Sequence, residues 1–432
     1  MKRTIIRNCM LLDDSAEHGV ILGARVAVED GRIAFAGPED AYRPKEGPSD
    51  TLDARGALAL PGLINAHTHV AMALFRSAAN DIPLQTWLND RIWPLEARLD
   101  GEAVYWGTML GIAEMLANGV TAFAEMYFFM DEIARAAEAG GMRASLYRAV
   151  VGLDGDGGRI ADAVRVHRDW EGAGGGRIRV GLGPHAEYTC STAVLRSCAE
   201  RAKEMGCGLH IHASETRREH EECKERHGMT PAKLLNSLGL FDVPCLLAHG
   251  VALEEGDIEL IARSGAVLAH CPGSNLILAS GIAPVKRMLD AGVTVALGTD
   301  GAASNNNLDV WQEMYLAAVL QKGVLKDATA VTAAQAFEMA TEGGAKALGC
   351  GGSIGALRPG TRADLILVDT DRPHYWPLTD MKRHLVYSGG ARDVVLTMVD
   401  GEVLYDRGEY PKLDIERVRA KAAGAAARLF GG

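Results

Sequence analysis

The sequence predicts an α/β fold: a (β/α)8 TIM-type barrel with a small β-sandwich domain built from both chain termini. Three observations predict it. Helix, glycine and short apolar strand alternate through the middle of the chain; polar residues suited to chemistry close several of those strands; and the two ends share a hairpin pattern that the middle lacks. Eight strands, centred near residues 64, 122, 146, 181, 211, 247, 268 and 296, make up the barrel. A doubly wound open sheet would spread the polar residues of strands 1, 5, 6 and 8 apart, whereas a closed ring gathers them at one mouth.

In chain order, Arg25–Gly37 reads as two strands around Asp30-Gly31, a strong hairpin signal. Leu60–Ile64 opens the first barrel strand. Gly107–Asn118 is an apolar-periodic helix stopped by Asn118-Gly119, and Val120–Ala124 follows as a strand. The grammar repeats: Lys203–Gly206 leads into Gly208–His212, Ile261–Gly265 into Ala266–His270, and Met288–Gly292 into the strand ending at Asp300. A glycine at each helix end supplies a left-handed cap, and the apolar runs that follow are too short for helices. Asp364–Asp369 is a further strand, and Val394–Tyr405 repeats the hairpin pattern around Asp400-Gly401. The expected division is 1–60 and 358–432 for the terminal domain, with a closing helix, and 61–357 for the catalytic barrel. The Gly-rich stretches 152–158 and 172–176 lack the strand–turn–helix context of a phosphate loop and read as flexible connections.

Composition narrows the function. A chain of 432 residues with 48% apolar and 23% charged residues can bury a large core. A net charge of −11 without a Lys/Arg stripe argues against nucleic acid. No apolar run approaches the roughly 20 residues that span a bilayer, and the first eight residues are too charged for a secretory leader. The eight cysteines form no CxxC pair and read as reduced core residues. The expected setting is the cytoplasm and the expected partner a small molecule, with a dimer or tetramer a further expectation.

His67 and His69 close the first strand. Alternation along a strand turns both to one face, roughly 7 Å apart. His212 closes the fifth strand and Asp300 the eighth. Three imidazoles and one carboxylate suit a single divalent metal with an open position for water, zinc before iron, manganese or nickel. His210 competes with His212, but its depth in the strand favours a packed core histidine. Such a metal makes hydroxide available near neutral pH. Glu215, three residues past His212, is placed to carry protons between water and substrate, Asp300 to accept one, and His249 to orient the water or steady the intermediate. His185 stands where two-metal barrels carry a bridging lysine or carboxylate, which predicts one metal and a histidine facing substrate. His220 and His227, which go with the charged helix Arg217 to Arg226, are expected to be solvated.

The runs Pro61–His69, His212-Ala213-Ser214-Glu215, Leu247-Ala248-His249-Gly250 and Gly298–Asn306 together resemble the amidohydrolase superfamily over nearly the whole chain, and within it the 5-methylthioadenosine/S-adenosylhomocysteine deaminases. The resemblance implies a mononuclear site at His67, His69, His212 and Asp300. It further implies Glu96, in Trp93-Pro94-Leu95-Glu96, on ribose hydroxyls, and His185 and Glu215 on the purine. Trp87 would form an aromatic wall, and Arg148, with Arg159 as a second arginine, would meet an amino-acid carboxylate. The implied reaction is hydrolytic deamination at purine C6, through a metal-bound hydroxide, of S-adenosylhomocysteine or 5-methylthioadenosine, with adenosine a further candidate. The competing enzymatic reading keeps the metal machinery on a free base or triazine, as in guanine, 8-oxoguanine or cytosine deaminases and chlorotriazine hydrolases. A non-catalytic barrel acting as an interaction protein is the third reading; the intact ligand set weighs against it.

Overall fold

The computed structural model describes residues 2–431. In chain order β1 (Arg3–Leu12), β2 (Val20–Glu29), β3 (Arg32–Pro38), β4 (Asp50–Asp53) and β5 (Leu58–Pro61) come first. Then follow β6 (Leu63–Thr68), β7 (Val120–Tyr127), β8 (Arg143–Val150), β9 (Ile178–Pro184), β10 (Leu209–Ala213), β11 (Cys245–His249), β12 (Val267–His270) and β13 (Thr294–Leu297). The last three are β14 (Leu365–Val368), β15 (Val394–Val399) and β16 (Glu402–Asp406).

Strands β6 to β13 pair in sequence order, every pair parallel, and coincide with the eight strands expected from the sequence. The ring is tied between its first and last strands. The Asp300 N–H donates to the His67 carbonyl (3.0 Å), and the Thr299 N–H donates to Asn65 Oδ1 (3.0 Å). Gly298 permits that approach, because a Cβ there would lie 2.8 Å from His67 Cβ and 2.9 Å from its backbone nitrogen and oxygen. Small side chains fill the barrel interior: Ala66, Ala122, Ala124, Ala149, Ala269 and Ala296 pack with Ile64, Met126 and Tyr147. The helices of the outer ring bury the other faces of the same strands, which is why the strands read as continuous apolar runs.

The helix expected from Gly107 begins earlier, at Gly101, because the Asp100 side chain accepts from the Ala103 N–H (2.7 Å) and caps it. The terminal strands form one hydrogen-bonded path, β16-β15-β14-β5-β1-β2-β3, with β4 on β1, so that β5 brings strands from the two chain ends together. A separate core, including Ile6, Val26, Ile33, Leu365, Leu396 and Met398, lies within it. Both hairpins turn on Asp-Gly with both residues left-handed, φ 46° and 77° at Asp30-Gly31 and 48° and 75° at Asp400-Gly401. That is the backbone a two-residue turn between right-twisted strands requires. Arg143, at the start of β8, fastens barrel to terminal sheet. Its buried guanidinium donates to both oxygens of Asp364 (2.8 and 3.1 Å) and to Asp400 Oδ1 (2.8 Å).

Candidate active site

The C-terminal ends of β6, β10 and β11 and the turn after β13 converge on one cavity of about 320 Å³. Strand alternation turns His67 and His69 to the same side, and the barrel brings His212 to them: the ligating atoms of these three lie within 4.8 Å of one another. Asp300 Oδ1 lies 3.5 Å from His67 Nε2 and 3.4 Å from His69 Nε2. The Nδ1 atom of each imidazole is already engaged: His67 with His210 Nε2 (3.0 Å), His69 with the Met126 carbonyl (2.5 Å), His212 with the His185 carbonyl (2.8 Å). Each ring therefore has its Nε2 free, the orientation that a metal-ligating histidine takes from its outer partner. His67 Nε2 is buried without a hydrogen-bond partner. Burial holds His67 down at about 4, against the pull of Asp300, and pushes His69 and His212 down as well, so all three rings are neutral near pH 7. Three neutral nitrogens, one carboxylate and an orphaned Nε2 fit a divalent ion of the zinc type.

Ser214, His249 and Asp300 hold φ of 52°, 77° and 60°, left-handed backbone that a side chain rarely adopts. The local hydrogen bonds sustain it. Glu219 accepts the Ser214 N–H (2.9 Å) and the Glu215 N–H (2.7 Å). Asp300 Oδ2 accepts from Ser274 (2.6 Å) and Ser304 (3.0 Å). His249 Nδ1 meets Asn275 Oδ1 (3.0 Å), and its Nε2 lies 3.9 Å from Glu215 Oε2. Burial raises the Glu215 carboxyl, partly offset by His249. For His249 burial works downward, but the facing Glu215 and Asp300 outweigh it and the ring ends above its ordinary value.

Of the residues singled out from sequence, His69, Trp87, Glu96, His185, His212, Glu215, His249 and Asp300 line the cavity, and His67 lies beside Asp300. Trp87 is fixed by its indole N–H on the Ala303 carbonyl (3.3 Å). Burial pushes the Glu96 carboxyl up to about 7, against the lowering effect of the Tyr127 hydroxyl. Arg148 and Arg159 do not line the cavity. Arg148 Nε donates to Asp162 Oδ2 (2.8 Å) and its guanidinium lies 5.7 Å from the centre of the Phe128 ring, which does line it; Arg159 donates to the Asp156 carbonyl (2.9 Å). His220 is not solvated as expected: it is buried, with Nε2 on Glu254 Oε1 (3.2 Å), because its face of the helix Arg217–His227 packs inward. His227 is half-buried. Sequence reasoning missed Glu125, whose buried Oε2 accepts the Val70 N–H (2.7 Å) and anchors the turn after His69, and it missed Ser274, Asn275 and Ser304. The polar run Ser274-Asn275 soon after the seventh strand was the signal for two of these; Glu125, inside an apolar strand, offered none.

A parallel barrel that gathers histidines, an aspartate and a raised glutamate at its C-terminal mouth is the architecture of metal-dependent barrel hydrolases. The chain belongs to the amidohydrolase family, whose sequence profile matches residues 58–404, and it is a hydrolase of C–N bonds. It is similar to the 5-methylthioadenosine/S-adenosylhomocysteine deaminase of Moorella thermoacetica, at 47% identity over 98% of both chains. It is also similar to the 5'-deoxyadenosine deaminase of Methanosarcina mazei, at 44% identity over 99% of both. Among solved structures it resembles an adenosine deaminase from Xanthomonas campestris with bound zinc: TM-score 0.94, 34% identity, 99% of both chains covered. Among the described residues no helix is long and apolar enough to cross a membrane.

Proposed function

We propose that the protein is a zinc-dependent deaminase of the cytoplasm, with its chemistry in the barrel of residues 61–357, that converts 5'-modified adenosines such as 5-methylthioadenosine or S-adenosylhomocysteine to the inosyl product and ammonia. One observation carries the reading: the same cavity is lined by His69, His212, Asp300 and Glu215, with His67 beside Asp300, together with Glu96, Trp87 and Phe128. A nucleoside needs all of these, a flat apolar wall for the base and a carboxylate for paired hydroxyls as well as the reacting groups. A free base has no use for Glu96.

His67, His69, His212 and Asp300 would hold a divalent ion, which would supply Lewis acidity and so favour attack by a hydrolytic water near neutral pH. Glu215 keeps its proton to higher pH than an ordinary glutamate and gives it to purine N1 as the water oxygen bonds to C6. Asp300 takes one proton from that water and returns it to the departing amine, which leaves as ammonia. The remaining hydroxyl proton goes back to Glu215, leaving C6=O and N1–H. His249, whose Nδ1–H donates to Asn275 Oδ1, donates from Nε2 in its protonated form toward the oxygen bonding to C6 and spreads the charge that develops there. His185 lines the same cavity, its Nδ1 on Thr189 Oγ1 (2.9 Å), and would meet the base there.

Arg148, already paired with Asp162, favours a substrate without a carboxylate. S-adenosylhomocysteine would have to draw that guanidinium away, whereas 5-methylthioadenosine meets an apolar wall at Phe128. The test is ammonia release from zinc-loaded protein given 5-methylthioadenosine, 5'-deoxyadenosine, S-adenosylhomocysteine, adenosine, adenine and guanine in parallel. Turnover confined to the free bases would overturn the reading. A higher kcat/KM for the uncharged nucleosides than for S-adenosylhomocysteine is expected.

A further inference from the structure

The helix Val310–Leu325 carries a glutamate, Glu313, that is fully buried and has no part in the chemistry above. Its two oxygens reach two different loops of the catalytic face. Oε2 accepts the Gly273 N–H (2.8 Å), in the turn after β12, and Oε1 accepts from Asn305 Nδ2 (2.8 Å), in the turn after β13. The Asn305 amide has only one possible orientation, because the same Nδ2 also donates to the Thr299 carbonyl (2.7 Å), which can only accept. The carboxylate therefore serves as acceptor on both sides. The fit leaves no spare room: a Cβ on Gly273 would lie 2.5 Å from Glu313 Oε1 and 2.8 Å from Asn305 Nδ2.

What these loops carry gives the clamp its meaning. The residue after Gly273 is Ser274, which donates to Asp300 Oδ2 (2.6 Å), and the next is Asn275, which holds His249 Nδ1 (3.0 Å). The residue before Asn305 is Ser304, also on Asp300 Oδ2 (3.0 Å) and 2.9 Å from Ser274 Oγ. Every side-chain hydrogen bond that orients Asp300 Oδ2 or the His249 ring, among the described residues, thus comes from a residue adjacent to, or two away from, one of the two that Glu313 grips.

The geometry points to Glu313 as a positioning residue that locks the turns after β12 and β13 together and thereby aims Asp300 and His249 at the reacting carbon. This rests on the proposed deaminase reaction, in which Asp300 moves the proton of the attacking water. Glutamine at 313 keeps the shape but turns one acceptor into a donor, so it faces the Gly273 N–H or the Asn305 amide with the wrong polarity. An error of an ångström in a catalytic group costs about a hundredfold in rate.

The test is a double-mutant cycle on zinc-loaded full-length protein: Glu313→Gln, Ser274→Ala and both together, with kcat, KM, bound zinc and melting temperature measured for each. The expected result is a kcat at least tenfold lower for Glu313→Gln with KM within twofold and zinc unchanged, and a double variant no slower than Glu313→Gln alone, since both act through one link. Multiplying effects, or a loss accounted for wholly by lost zinc or unfolded protein, would overturn the assignment. Asn305→Ala, which frees one side of the clamp and leaves the carboxylate in place, decides the matter if Glu313→Gln does not fold; an unchanged kcat there overturns it equally. Wild-type protein inactive on every aminopurine nucleoside would instead sink the deaminase reading, a failure separate from this one.

Discussion

Replacing Glu96 by glutamine separates nucleoside recognition from chemistry. The carboxyl sits at the cavity wall among Trp93, Tyr127 and Phe128, and burial lifts it from its ordinary 4.5 to about 7. On the proposed reading the ionised carboxylate would accept from both ribose hydroxyls, and hydrogen bonds to a charged group are worth about 1.5–3 kcal/mol. Losing one such contact raises KM roughly 10- to 150-fold at one decade per 1.4 kcal/mol, with kcat changed far less because C6 lies at the other end of the ligand. In the wild type KM should fall as pH rises through about 7 and the carboxylate forms; in Glu96→Gln it should be flat. Stability follows from the same shift. A glutamate whose folded-state pKa is raised carries no penalty below 4.5, and the penalty grows as pH climbs to about 7 and then stays constant. Moving the midpoint from 4.5 to about 7 corresponds to about 3 kcal/mol, and water at the cavity mouth reduces it to about 1–2 kcal/mol. Glu96→Gln should therefore melt like the wild type near pH 4.5 and several degrees higher at pH 8.5. Ammonia-release kinetics and thermal melts across that range read both effects. An unchanged KM for the nucleosides would refute the placement of Glu96 against ribose, and a melting difference that does not vary with pH would refute its raised carboxyl.

Glu215→Gln removes the proton donor without changing its shape, so kcat should fall by about 10² to 10⁴ while the melting temperature at pH 8 holds or rises; a smaller loss of kcat would count against Glu215 as the acid. Chelation should abolish turnover and zinc should restore it at one ion per chain, whereas a second equivalent bound with comparable affinity would contradict the mononuclear site. Gly298→Ala forces a Cβ to 2.8 Å from His67 Cβ, and overpacking of this kind costs about 1–3 kcal/mol. Calorimetry and metal analysis should show a lower melting temperature and reduced zinc occupancy, and normal values for both would mean that the ring closes more loosely than described.

The fold was legible because its signals are local. Glycine-capped helices mark the barrel strands, and Asp30-Gly31 and Asp400-Gly401 mark the terminal hairpins. The pairing of β5 with β1 on one side and β14 on the other was not legible at the level of register, since nothing local in Leu58–Pro61 specifies partners so far away in the chain. At the site, His67, His69, His212, His249 and Asp300 could be read because polar residues at strand ends stand out against apolar runs. Glu125, Glu219 and Glu313 could not, because each answers backbone N–H or amide groups that only the folded chain brings to it. His220 misled for the related reason that a charged helix still has an inward face. Arg148 could be named but not placed, since its partner Asp162 lies on the next helix and competes for its guanidinium.

The position of β5 also bears on how the chain comes off the ribosome. Leu58, Ala59 and Leu60 are wholly buried in the finished sheet, yet Leu60 pairs with Ile366 and Ala59 with Leu367. Throughout synthesis of the barrel that greasy ribbon keeps one edge unmated, directly before the strand that bears His67 and leads to His69. The nascent protein can assemble its catalytic face before it can seal this seam, so the hazard of sticking to neighbouring chains lasts until Leu365–Val368 has been made, and β14 acts as the closure.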